Sequence, residues 1–327
     1  MKAIVIEGFG DPAATIRLKD LPEPAAPGPG EVTVEMLVLN INPSDLLQIQ
    51  GLYGTSRPPL PFIPGSEYAG VVEAIGDGVA GFAVGDRVFG SSLGGPCAEI
   101  GNFRAENVSK VPAGMSLEEA AVFPVNYQTA WHALVDRGQA KAGETLLVLG
   151  AAGGTGYAAV EVGKYLGLRV IASASSAEKQ EAARRGGADA VVKTGAEDWR
   201  DQVKAANDGR EIDLVFDPVG GEATDPAFRT LGYGGRHLVI GFTAGLTALK
   251  TNLPLLKCAS LVGVQMRGHA LSRPEEAAAN RVKVMALAGE GHFHPAIAGR
   301  YPLESYAEAM RAAFSGKAAG RIVLTMS

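Results

Sequence analysis

The sequence predicts a mixed α/β protein: a doubly wound parallel sheet joined to a second, β-rich domain. Three observations carry this. From about residue 124 to residue 266, helix-like stretches alternate with short apolar strand-like runs, the pattern that builds a parallel sheet with helices on both faces. From Met1 to about Lys110 short β-like runs are broken by Gly and Pro, as in a compact, partly open barrel. At 327 residues the chain also exceeds the usual size of a single core.

Taken in order, the first region offers strands at Lys2–Glu7, Glu31–Leu39, Tyr68–Ile75, Arg87–Phe89 and Ala98–Ile100. Prolines at the density of Leu21–Gly30 remove donors and fix φ, so that segment is a surface connection. Ser116 and Glu119 form a capping box that opens a helix and marks the crossing into the second domain. Helices are then expected at 126–138, 155–166, 177–186, 197–207 and 222–231. They alternate with strands at 145–150, 168–173, 190–192, 212–216, 236–240 and 260–264. Pro274–Ala288 and Leu303–Ser315 read as helices and Arg321–Thr325 as a final apolar strand. This last section is expected to return to the first domain, giving 1–123 with 267–327 as one domain and 124–266 as the other.

The chain is organised around Thr145–Gly156. A continuous Leu- and Val-rich run suits a strand buried on both faces, and its glycines arrive where that strand must turn into a helix. Ala152, Gly153, Gly154, Thr155 and Gly156 are the candidate cradle for a dinucleotide pyrophosphate. Glycine permits close backbone approach and close helix packing there, and the helix N-terminus supplies free N–H groups with partial positive charge. The first glycine of the usual G-x-G-x-x-G is Ala151, so the strand and helix context carries the reading; the alternative is a merely structural turn. About twenty residues on, where NAD-binding proteins usually carry an acid, Ala174 is followed by Ser175, Ser176 and Lys179. Small hydroxyls and a lysine suit a 2′-phosphate, so NADPH is expected over NADH; the alternative is a helix cap with a solvated lysine. Gly241 and Phe242, following strand 236–240, lie at the carboxyl end of a strand, where open α/β sheets bind ligands.

A net charge of −5 without a basic stripe argues against nucleic acid or an anionic membrane surface as partner. No apolar run approaches the roughly 20 residues of a membrane helix. Cys97 and Cys258 are too few for a disulfide framework and sit in no metal-ligand spacing, which fits a reducing cytoplasm.

Asn42-Pro43-Ser44-Asp45, Gly51-Leu52-Tyr53-Gly54, Pro64–Gly70, Val84–Val88, Ala151–Gly156 and Asp217–Gly221 together resemble the medium-chain dehydrogenase/reductase family, and more narrowly its zinc-free quinone oxidoreductase branch. The resemblance spans essentially the whole chain and implies a GroES-like catalytic domain beside a Rossmann domain. Zinc-dependent relatives carry a cysteine where Asn42–Ser44 stand and a histidine where Ser66 stands, so no metal is expected. His292 and His294 read as surface histidines near a turn. Without a Lewis acid to hold an alkoxide, reduction of an activated, conjugated acceptor is the better reading than oxidation of a simple alcohol.

Ile41–Gly54 and Val125–Ala130 are also similar to segments of enoyl thioester reductases, in which the tyrosine matching Tyr53 is the proposed proton donor. Tyr53, Asn42 and Thr129 are thus the candidate catalytic residues: Tyr53 as acid, Asn42 toward nicotinamide or substrate, and Thr129 near the nicotinamide ribose or amide. Alternatively Tyr53 is an aromatic lid and Asn42 caps a turn. Three functions follow: reduction of a quinone or other conjugated carbonyl by NADPH, reduction of an enoyl thioester with Arg57 as its only obvious anion anchor, or NADPH binding without turnover. Strand 260–264 is a plausible sheet edge for a homodimer.

Overall fold

The structure, a computed structural model, describes residues 1–53, 57–92 and 94–326. Gly54, part of the Tyr53 motif, lies outside the described residues. The chain divides into two compact units, Met1–Val125 with Ile297–Ser327, and Asn126–Ala296. The second boundary differs from the expected 266/267. Segment 267–296 belongs to the second unit because its helix Pro274–Gly289 buries Val284, Leu287 and Ala288 there, and Phe293 packs on Tyr127 with ring centroids 5.2 Å apart.

In the first unit, strand Glu31–Asn40 is the hub of a mostly antiparallel sheet. One edge pairs with Glu67–Ile75, while the other is shared between Ile100–Arg104 along residues 31–35 and Arg321–Thr325 along residues 38–40. Among the described residues, only Ile297–Pro302 and Arg321–Thr325 run parallel in this sheet. The alternating burial of Val32, Val34 and Met36 points one face into a core with Tyr68, Val88 and Tyr306. Helix Pro43–Ile49, absent from the sequence reading, follows the hub strand directly; Asn42 and Asp45 form its capping box.

The second unit holds a six-stranded, wholly parallel sheet ordered Ala190–Lys193, Arg169–Ala174, Thr145–Leu149, Ile212–Asp217, Leu231–Val239, Ser260–Gly263. The order grows outward in both directions from Thr145–Leu149, so the topological switch lies between that strand and Ile212–Asp217. The expected strands all appear, and Thr145–Leu149 is buried along its full length, as its apolar run requires. The capping box at Ser116 forms as expected, Glu119 N donating to Ser116 Oγ at 3.1 Å and Ser116 N to Glu119 Oε2 at 2.9 Å. No helix among the described residues is long and apolar enough to cross a membrane.

Candidate active site

The carboxyl ends of the central parallel strands gather most of the sequence-predicted positions on one edge. After Leu149 the chain turns at Gly150, whose φ of +58° explains a glycine there. Ala151 needs none: its φ is not positive and its methyl is buried, so the departure from the usual glycine pattern is accommodated. Helix Gly154–Tyr165 begins after Gly153, which offers no side-chain cap, and its first backbone acceptor, Gly153 O, is used by Tyr157 N at 2.7 Å. The N–H groups of Gly154, Thr155 and Gly156 therefore have no acceptor within the helix. A Cβ on Gly156 would lie 2.3 Å from Gly150 O, so only glycine fits, whereas a Cβ on Gly153 would meet nothing closer than 3.4 Å. Gly156 serves packing, and Gly153 leaves open the face that a phosphate would approach. The Thr155 hydroxyl is already donated to Asn126 Oδ1 at 3.0 Å, leaving its backbone N–H as its free donor.

The neighbouring strand Arg169–Ala174 ends on the same edge. Ala174 is buried, and Ser175 and Ser176 are exposed. Ser176 caps helix Ala177–Arg185 by accepting from Lys179 N at 3.3 Å, and Lys179 Nζ lies 3.5 Å from Ser175 Oγ. Cap and cation thus coexist: two hydroxyls and an ammonium cluster where an acid would otherwise stand.

Across the switch, Asp217 holds its loop together. Its Oδ1 accepts from Val219 N at 2.9 Å and Gly220 N at 2.8 Å, and its Oδ2 meets Thr224 Oγ1 at 2.8 Å and His237 Nε2 at 2.9 Å. Burial pulls this carboxyl upward, but the His237 contact and the backbone donors together hold it below the usual range. Its partners are those of a loop brace. Gly241 stands against that loop, its N–H 3.3 Å from Asp217 O, and Phe242 is exposed beside it. Thr129 is buried in helix Leu117–Trp131.

Asn42 and Tyr53 belong to the first unit. The Asn42 amide is fully engaged: Nδ2 donates to Ser66 Oγ at 2.9 Å and Glu67 Oε2 at 2.6 Å, while Oδ1 accepts from Asn40 Nδ2 at 3.3 Å and from Arg321 Nη2. Glu67 also accepts from Asn40 Nδ2 and Val125 N, each at 2.6 Å. Burial pushes the Glu67 carboxyl up and the Arg321 guanidinium down, each opposing the attraction between them. Sequence reasoning missed Asn40, Glu67 and Arg321 as a cluster. The signal was one acid, Glu67, immediately before the strand run Tyr68–Ile75 read from the sequence, and one base, Arg321, opening the last strand. Tyr53 is half-buried just past Gly51, whose φ of +70° sets the turn. Arg57 donates Nε to Gly51 O at 3.1 Å and lies 5.2 Å from the Phe9 ring centroid.

Two family models match this chain: an alcohol dehydrogenase GroES-like domain over residues 28–131 and a zinc-binding dehydrogenase over residues 154–282. The human quinone oxidoreductase is 30% identical across 100% of this chain and 98% of its own length. The human synaptic vesicle membrane protein VAT-1 homolog is 33% identical, covering 99% of this chain and 86% of that protein. The structure of the Escherichia coli quinone oxidoreductase complexed with NADPH superposes with a TM-score of 0.87 at 26% identity, covering 99% of this chain and 100% of the other.

Proposed function

The chain belongs to the quinone oxidoreductase branch of the medium-chain dehydrogenase/reductase family, and on that premise we propose that it is an NADPH-dependent reductase of quinones or other conjugated carbonyls that works without zinc. It is an oxidoreductase, and NADPH is its cofactor. The observation that carries the reading is the uncapped turn at Gly153, with the N–H groups of Gly154, Thr155 and Gly156 presented beside Ser175, Ser176 and Lys179.

When bound, NADPH supplies a hydride to the acceptor. The turn's N–H groups and the helix dipole would hold the pyrophosphate, and Ser175, Ser176 and Lys179 the 2′-phosphate. Ala152 and the backbone of Gly241 and Phe242 line the same edge, which suits contact with the rest of the cofactor; Thr129 is the candidate hydroxyl for its nicotinamide end. Hydride addition to a conjugated carbonyl leaves negative charge on oxygen, and Tyr53 is the candidate to deliver the balancing proton. Asn42 positions rather than reacts, since its amide has no free donor. Zinc independence is supported by the residues at the relatives' ligand positions: Ser66 offers a hydroxyl already bonded to Asn42, and Asn42–Ser44 contain no thiol.

The test is a steady-state screen of NADPH oxidation with 1,2- and 1,4-quinones, 2-alkenals and crotonyl-CoA, comparing wild type with Tyr53→Phe. Quinone or enal turnover above the thioester supports the reading. Thioester turnover far above the quinones would make the protein an enoyl thioester reductase, and tight NADPH binding with no turnover would make it a sensor. On an enal, Tyr53→Phe should lower kcat with NADPH affinity intact; an unchanged kcat removes the acid role.

A homodimer is part of the same reading. Strand Ser260–Gly263 ends the parallel sheet with Leu261 half exposed, an edge suited to pairing with a second copy. Sedimentation that gives only the 33.8 kDa monomer at every concentration would exclude it.

A further inference from the structure

The second unit carries a cluster that the reductase reading does not use. His132, Asp136 and His269 bring their ligand atoms within 4.8 Å of one another. The first two lie in one turn of the segment His132–Arg137, where the helix widens to a π-helix; His269 comes from helix Met266–Ser272. The two imidazole rings stack with centroids 4.0 Å apart, and both side chains are more than nine-tenths buried, while Asp136 is partly open to solvent.

His132 Nδ1 lies 2.7 Å from Asp136 Oδ2, and Asn280 Nδ2 donates to that same oxygen at 2.7 Å. His269 Nε2, in contrast, is buried without a hydrogen-bond partner, 3.9 Å from the carboxylate. A buried imidazole nitrogen aimed at a carboxylate but beyond hydrogen-bond reach is an unfilled position. We propose that His132, Asp136 and His269 form a binding site for a divalent transition-metal ion of the zinc class, distinct from any zinc site of dehydrogenases.

Two imidazoles and a carboxylate are a suitable donor set for such an ion, with a fourth position left to water through the open side of Asp136. Metal–ligand bonds of about 2.0–2.2 Å in tetrahedral geometry put donors roughly 3.3 Å apart. The 2.7 Å contact must open slightly, the 3.9 Å gap close slightly, and the stacked rings tilt apart until both nitrogens face one point. His132 would bind through Nδ1 and carry its proton on Nε2 instead, so the ring stays neutral. Asn280 would stay bonded to the carboxylate, orienting it from outside the ligand set. The positions where zinc-dependent relatives carry ligands, Asn42–Ser44 and Ser66, belong to the other unit and take no part.

Tag-free protein should be titrated with Co2+ and then Zn2+. The expected result is a visible ligand-field band at one equivalent of Co2+, bleached by Zn2+, and a rise in Tm with Zn2+. His269→Gln, which adds no charge and leaves the His132–Asp136 contact, should lose the band and the Tm rise; His132→Ala should do the same. His294→Gln should keep both. If wild type shows no band and no Tm rise with micromolar metal, or if His269→Gln binds as wild type does, the proposal is overturned. Because the readouts are optical and thermal, they stand apart from reductase turnover.

Discussion

The two polar regions of this molecule differ in how their hydrogen bonds are spent. Around Asn42 the polar atoms are buried and turned on one another: Asn40, Asn42, Ser66, Glu67 and Arg321 use one another as partners. At the glycine turn capacity is left over, three consecutive N–H groups without an acceptor in their helix and two exposed hydroxyls beside an ammonium. Both were candidate sites in the sequence, because Asn, Ser and Gly mark ligand loops and structural turns alike. The difference teaches that residue type nominates a site and unspent hydrogen-bonding capacity selects it. A saturated cluster has its capacity spent on the fold; an unsaturated edge keeps capacity for a ligand.

The sharpest way to break this comparison is to remove a charge from the saturated cluster. Arg321→Met leaves the Asn40 and Asn42 side-chain oxygens without their guanidinium donor and Glu67 buried without the charge that attracts it, which should cost roughly 3–5 kcal/mol of stability, as removing one member of a buried charged network does. Chemical denaturation measures it. A loss no larger than that of an ordinary surface substitution would mean the cluster is not the internal brace described here.

Next in size are the glycines. Gly156→Ala forces a Cβ against Gly150 O and should lower Tm and abolish detectable NADPH binding together. Gly153→Ala meets only an ordinary contact, so Tm should hold while NADPH affinity falls about tenfold, or about 1.4 kcal/mol, as the methyl obstructs the phosphate approach. Calorimetric titration separates the two, and unchanged affinity in Gly153→Ala would show that the open face is not where phosphate sits. A smaller effect is expected at Lys179→Ala, which should weaken NADPH several-fold while leaving NADH within error. Equal weakening of both cofactors would reassign Lys179 to the helix cap alone.

The same contrast explains what was legible. The parallel sheet could be read because its strands are apolar runs bounded by glycine, a local signal that burial on both faces demands. The proposed cofactor edge could be nominated because turn and helix start are contiguous in sequence. Arg321 could not be joined to Asn42, because 279 residues separate partners that meet only when strand Arg321–Thr325 pairs with residues 38–40. Helix Pro43–Ile49 was missed because Pro43, at its first turn, reads as a breaker unless Asn42 is recognised as its cap. Segment 267–296 was misplaced because its helix has little amphipathic contrast, so nothing local reveals which core receives Val284 and Leu287.

The saturated cluster has one loose end, which yields a further prediction. Asp45 is completely buried; its Oδ2 accepts from Asn42 N at 2.8 Å, but Oδ1 has no partner. Burial raises its carboxyl to about 7, aided by the Glu67 charge and opposed by the Asn42 N–H, the Ser66 hydroxyl and Arg321; the neighbouring Cys97 and Tyr306 are themselves pushed up by burial. A carboxyl whose folded value lies above its unfolded value favours the fold while protonated. Its contribution is full below the unfolded value near 4 and is lost as pH rises through about 7. Wild-type stability should therefore decline between pH 5 and pH 8 relative to Asp45→Asn, whose amide cannot ionise yet can still accept from Asn42 N, by roughly 1–3 kcal/mol. Parallel pH profiles of the two proteins would mean that Asp45 is ionised throughout, and that Oδ1 has found a partner the fold does not otherwise provide.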